Sequence, residues 1–125
     1  MAMTSGQKGY VSVVRAMRYY ESEGYLVDVV EKTGRFRLYK DLFSKMFSEH
    51  GYDAGFDLLA IHKTKKNVLI QVTTTKPKVH KPFIFFAKKY GKSIDVHQYV
   101  RKKGRGSNLL IIYNRDGTYT RSDVL

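Results

Sequence analysis

Phe56-Asp57-Leu58-Leu59-Ala60-Ile61 and Asn67-Val68-Leu69-Ile70-Gln71-Val72-Thr73 are two apolar runs separated by the polar, lysine-rich stretch from His62 to Lys66. Runs of this length bounded by polar turn residues read as strands, and so short a link makes an antiparallel hairpin the simplest connection. Apolar side chains fall on both faces of each run, so the hairpin is expected in the middle of a sheet covered on both sides. Asp57 breaks the pattern. A carboxylate in an apolar strand has to be paired, hydrogen-bonded or metal-bound. Strand parity puts Asp57, Leu59 and Ile61 on one face, and Leu69, Gln71 and Thr73 on one face of the second run. With the turn centred near Thr64 or Lys65, Asp57 falls opposite Gln71 or Thr73, or one diagonal step away.

Outward from the hairpin, Tyr10, Val13, Val14, Met17 and Tyr20 recur at helical spacing, predicting a helix over 7–23 with Thr4 and Gln7 at capping-box positions and Gly24 as its stop. Tyr25 to Val30 reads as a strand. The stretch from Glu31 to Tyr39 reads as a second hairpin arm or a loop, and Tyr39, Leu42, Phe43, Met46 and Phe47 as a short helix ending at Gly51. Beyond the hairpin, Pro82 to Tyr90 is predicted helical, with Pro82 in its first turn and Gly91 just past its end. Ser93 to Arg101 and Asn108 to Asn114 are predicted strands, and Asp116-Gly117 a turn leading into Thr118-Tyr119-Thr120. The apolar run Leu109 to Tyr113 suits either a core or an interface. The expected fold is α/β, a single domain with a central mixed sheet flanked by helices.

The chain has 125 residues, no cysteine and a net charge of +12. Neither a disulfide framework nor a thiolate zinc site is available to it. No apolar run reaches the length of a membrane span and no signal-peptide pattern opens the chain, so a cytoplasmic protein without a membrane partner is expected. Thirteen Lys and Arg but one acid, Asp95, lie between Lys63 and Arg105, while the rest of the chain is balanced at ten against ten. Such concentrated charge repels itself in isolation and is neutralised by a polyanion. The expected nucleic-acid contacts are Lys63, Lys65, Lys66, Lys78, Lys81, Lys88, Lys89, Arg101, Lys102, Lys103 and Arg105. DNA is the expected partner, with RNA not excluded. His50, His62, His80 and His97 lack zinc-ligand spacing and read as loop or surface residues, with His80 and His97 available to phosphate.

Lys8-Gly9 at the head of the first helix, Glu23-Gly24-Tyr25-Leu26-Val27, Phe56-Asp57-Leu58-Leu59 and Val68-Leu69-Ile70-Gln71-Val72-Thr73 occur in an order that resembles the PD-(D/E)XK nuclease superfamily. More narrowly, they resemble archaeal and viral Holliday-junction resolvases over residues 7–75. The resemblance implies a restriction-endonuclease-like domain, a homodimer, and Mg²⁺ or Mn²⁺ held by Asp57 and Gln71 for phosphodiester hydrolysis. It also expects a lysine where this chain has Thr73 and a helix glutamate near Val13. Lys76 is the nearest cation to replace the lysine, and Asp41 and Asp53 are further candidate metal ligands. The expected function is a metal-dependent endonuclease acting on DNA, including branched DNA. The alternative is a non-catalytic nucleic-acid-binding protein that retains a degenerate nuclease fold.

Overall fold

A computed structural model describes residues 5–30, 37–52, 55–102 and 108–124. The fold is α/β. Three helices flank one six-stranded mixed sheet among these residues, in the order α1 (Ser5–Ser22), β1 (Leu26–Val29), α2 (Arg37–Glu49), β2 (Leu58–Ile61), β3 (Asn67–Thr74), α3 (Lys81–Tyr90), β4 (Ile94–Arg101), β5 (Asn108–Tyr113) and β6 (Tyr119–Val124). Neighbours in sequence are neighbours in the sheet, β1 through β6. Every pairing is antiparallel except that of β3 with β4. A parallel pair needs a crossover, and α3 supplies it.

The two faces bury separate clusters. Ala16 and Tyr20 of α1 cover Leu58, Ala60, Val68, Ile70, Val72, Tyr99 and Leu110. Phe47 of α2 and Phe83, Phe86 and Ala87 of α3 cover Leu69, Val96, Val100, Leu109, Ile111 and Tyr113 on the other side. Aromatic edges dominate this second cluster, with Phe56 lying 5.1 Å from Phe86 and 5.5 Å from Phe43 between ring centroids, both edge-on. β5 is buried within this core, which decides between the two readings of Leu109 to Tyr113.

The helix stops follow from glycine. Gly24, at φ +92°, donates to Glu21 O while Tyr25 N reaches back to Tyr20 O, the paired bonds of a Schellman motif. Gly51, at φ +79°, repeats it, with Gly51 N on Ser48 O and Tyr52 N on Phe47 O. Gly91 stops α3 for a different reason. Its φ is −64°, and a Cβ there would lie 2.3 Å from Ala87 O and 2.7 Å from Arg115 Cγ. The position is glycine for want of space.

Several expectations need correction. The Thr4 to Gln7 cap and 31–36 lie outside the described residues, but Arg37 and Leu38 open α2 and do not continue a hairpin arm. β2 starts two residues later than its apolar run. Tyr119 to Val124 forms a sixth strand where only a turn and three residues had been singled out, because pairing with β5 carries it to the sheet edge. His97 is a core residue and no phosphate contact: β4 points it at α1, where it is 8% exposed with Nδ1 2.7 Å from Tyr20 Oη.

Burial lowers the pKa of His97 to about 4. The unfolded imidazole titrates near its ordinary value, so below about pH 6.5 the unfolded chain binds a proton that the folded chain refuses. Stability present above that pH is lost as the pH falls towards 4, by up to about 3 kcal/mol, and the loss then levels off. Urea denaturation between about pH 7 and pH 4 should record this decline in wild type, and His97→Gln should lack this part of it.

Candidate functional site

The hairpin register pairs Leu58 with Ile70, Leu59 with Leu69 and Ala60 with Val68. One step further, Asp57 stands across from Gln71. Its backbone N–H donates to Ile70 O at 2.9 Å and its carbonyl accepts from Val30 N at 2.8 Å. Its carboxylate Oδ2 then accepts the Val72 N–H at 2.8 Å and Gln71 Nε2 at 2.9 Å. A side-chain oxygen therefore continues the ladder where β2 has not yet begun. Bonds to an ionised acceptor are stronger than neutral ones, which fixes the carboxylate against the end of β3. Gln71 is buried and its amide also donates to Val72 O at 3.0 Å.

Thr73 follows two residues on, on the same face as Gln71. Its Oγ1 is buried without a hydrogen-bond partner. Buried hydroxyls are rarely left so. Beyond it, Thr75 takes φ +76°, a strained conformation for a β-branched residue, and Lys76 N donates to Thr74 O at 2.9 Å. The strand ends in this turn and leaves Lys76 exposed.

The connection to α3 is held by Gln98 of β4, which is fully buried. Its Nε2 donates to Lys78 O at 3.0 Å and to Tyr113 Oη at 2.6 Å, while its Oε1 accepts from Lys78 N at 2.9 Å. Burial pushes the Tyr113 phenol up to about 12, so it stays protonated. Gln98, register partner of Gln71, thus ties the lysine-bearing connection to the end of the sheet where Asp57 lies. Sequence reasoning passed over it. Its strand also carries Asp95, His97 and Arg101, so no local pattern set Gln98 apart, and only its burial does.

The other candidates are less tightly placed. Asp41 is exposed on α2, two residues before Phe43, whose ring meets that of Phe56 next to Asp57. Asp53, Lys103 and Arg105 lie outside the described residues. Val13, where the resemblance expects a glutamate, packs with the α1 cluster on the far side of the sheet from Gln71. No trio of His, Cys, Asp or Glu positioned for a metal occurs among the described residues. The oxygen-bearing side chains that meet are the Asp57 carboxylate and the Gln71 amide, with the Thr73 hydroxyl two residues on along the same face of β3. Their hardness fits Mg²⁺ or Mn²⁺, which complete their shell with water. Gln71 presents N–H to Asp57, and its amide must rotate to offer Oε1 to a cation.

The basic segment is contiguous in sequence and divided in space. Asn67 pairs with Ile94 at one end of the parallel pair, and Thr74 with Arg101 at the other. Lys63, Lys65 and Lys66, in the β2–β3 turn, and Lys88 and Lys89, in the last turn of α3, lie towards the first end. Lys66 is engaged there, donating to Gly91 O at 2.8 Å with Asp95 3.8 Å away. Lys76, Lys78, Lys81 and Lys102 lie towards the second end, with Asp57, and all four are exposed.

Arg101 is not the surface cation it was expected to be. Parity turns it towards α1, where it is 8% exposed and Nε donates to Ser12 Oγ at 2.9 Å, with Thr74 Oγ1 2.5 Å from that oxygen. Its Nη2 is buried without a partner. His62 accepts from Thr64 N at 3.1 Å and Lys65 N at 3.2 Å, the work of a turn residue. His80 is half-buried, bonded to Tyr113 Oη at 2.7 Å and stacked on Tyr119 at 4.3 Å, with its pKa lowered by burial and then by Arg121. No helix among the described residues is long and apolar enough to cross a membrane. No family model, no curated protein and no solved structure matches this chain.

Proposed function

We propose that this chain is a metal-dependent endonuclease that hydrolyses phosphodiester bonds in DNA. One observation carries the reading: the Asp57 carboxylate and the Gln71 amide meet in the second half of β3, on the face that also carries Thr73 and its buried, unpartnered hydroxyl. The element order, α1, a strand just after Gly24-Tyr25, then β2 just after Asp57 and β3 with Gln71, follows the PD-(D/E)XK resemblance with α2 placed between β1 and β2, and supports it. Asp57 and Gln71 would hold Mg²⁺ or Mn²⁺, which when bound supplies an activated water and neutralises charge on the phosphate. Lys76, Lys78, Lys81 and Lys102 grip the backbone at the same end of the sheet. Lys76, on the turn after Thr75, takes the charge-stabilising part that a lysine at position 73 would otherwise play. A homodimer, with two sites related by a two-fold axis, belongs to the same proposal and suits a symmetric branched substrate.

A second reading is a non-catalytic nucleic-acid-binding protein. Asp57 Oδ2 already accepts two hydrogen bonds, one from the very amide that would have to turn towards a cation. Calorimetric titration with Mg²⁺ or Mn²⁺ separates the two without relying on turnover. Binding lost in Asp57→Asn supports the nuclease, and wild type that binds no metal favours the second reading.

Asp57→Asn keeps an oxygen acceptor for Val72 N while removing the charge. It should abolish cleavage of a panel of junction, duplex, single-stranded DNA and RNA, with DNA affinity unchanged or raised; cleavage equal to wild type sinks the site. Lys76→Ala should slow cleavage roughly 10²-fold at saturating DNA, and Thr73→Lys should restore it. Replacing Lys76, Lys78 and Lys102 together by Gln should lower the salt slope of duplex binding by up to about three units, since each phosphate contact releases about one counterion. The same change at Lys63, Lys65 and Lys92, at the far end of the sheet, should leave the slope near its wild-type value.

A further inference from the structure

α3 is amphipathic in an unusual way. Pro82, Phe83, Phe86 and Ala87 are buried against the sheet, and the opposite stripe holds Lys81, Ile84, Phe85, Lys88 and Lys89. These five residues recur at i, i+3, i+4, i+7 and i+8, so they form one continuous face. With Tyr52 they line an open cleft of about 510 Å³. All the charge lining it is positive. Phe85 is partly buried at its centre, with the His50 ring 4.4 Å away and Tyr52 at 6.0 Å. Lys89 Nζ lies 5.6 Å above the Phe85 ring and 5.8 Å from that of Tyr90.

A flexible lysine, and not a packed core side chain, covers that face of Phe85. Cation–π contact at an exposed site is weak, about 0.5–1 kcal/mol, and another planar group can displace it. A core role does not require a phenylalanine here, since Phe83 and Phe86 already fill the space beneath α3. Aromatic faces set among cations are what single-stranded nucleic acid needs. Bases stack on the rings while lysines meet the phosphates. From Lys81 to Lys89 the helix rises about 12 Å, enough for a few nucleotides. Its N-terminal end follows the Lys76 to His80 connection, which leaves the end of β3 where Asp57 lies.

We propose that this stripe of α3 binds the unpaired bases of single-stranded DNA, with Phe85 and Tyr52 as stacking platforms and Lys81, Lys88 and Lys89 on the phosphates. The inference rests on the nucleic-acid reading and deepens it: the substrate carries a single-stranded arm beside the duplex held at the Asp57 end. A strand lying on the stripe displaces Lys89 from Phe85 onto its own backbone.

Fluorescence anisotropy tests it with a labelled oligothymidylate and a blunt duplex of equal length. Phe85→Ala should weaken oligothymidylate binding about 5- to 150-fold, the range of one lost base stack, with duplex affinity changed less than twofold. Phe85→Leu, which keeps apolar contact with His50 and Tyr52, should show most of the same loss and guards against a folding artefact. Lys81, Lys88 and Lys89 replaced together by Gln should lower the salt slope for the oligonucleotide, whereas Phe85→Ala should not. Wild type that binds the duplex but loses nothing with Phe85 overturns the stacking site alone. Wild type that binds neither overturns the nucleic-acid reading along with it. A dimer in sedimentation that dissociates on Phe85→Ala, with oligonucleotide affinity unchanged, makes the stripe a self-association surface and equally overturns the proposal.

Discussion

Most of this molecule depends on the parallel pairing of β3 with β4. An antiparallel partner could have followed directly through a tight turn, but a parallel one obliges the chain to travel back along the sheet, and α3 is that return. The crossover covers one face with Phe83, Phe86 and Ala87 while α1 covers the other. It also aligns the finishing ends of the two central strands, so that Gln71 stands beside Gln98 and Thr74 beside Arg101. The polar groups of this end are therefore a product of topology, gathered from segments far apart in the chain.

Burial at that end is costly and only partly compensated. Asp57 is held by the Val72 N–H and the Gln71 amide, and Gln98 closes three hydrogen bonds around Lys78 and Tyr113. Yet Thr73 Oγ1 and Arg101 Nη2 are both buried without partners, on opposite faces of the sheet. Leaving a buried polar group unsatisfied costs about 1–3 kcal/mol, more for a charge. Thr75 adds strain at the same place. A fold that places its unsatisfied groups and its strained residue at one end of its central strands concentrates there what a ligand could relieve.

The opposite end has a different character. Lys66 spans from the β2–β3 turn to Gly91 and Asp95, and His62 closes its turn through Nδ1, so these polar side chains are occupied in holding loops. A basic run in sequence is thus divided in space between the two ends of the sheet, with Lys66 tying a turn at one end, Lys76, Lys78 and Lys102 exposed near Asp57 at the other, and the α3 stripe running between them.

How much could be read in advance depends on the range over which each feature is decided. The hairpin, the stops at Gly24 and Gly51, and the meeting of Asp57 with Gln71 are consequences of short stretches, because a five-residue link sets the register and a Schellman glycine acts within its own turn. Parity also foretold that Gln71 and Thr73 share a face. Parity cannot say which face a helix will cover, and on that choice hang the burial of Arg101 and His97, both of which had looked like surface cations or phosphate contacts. β6 owes its strand to a partner already in the sheet more than to its own exposed, polar residues. The sequence by itself determined the local units and the pairing of one carboxylate with one amide. The tertiary structure decided which charges are buried and which remain for a partner, since burial depends on contacts between segments that no local pattern encodes.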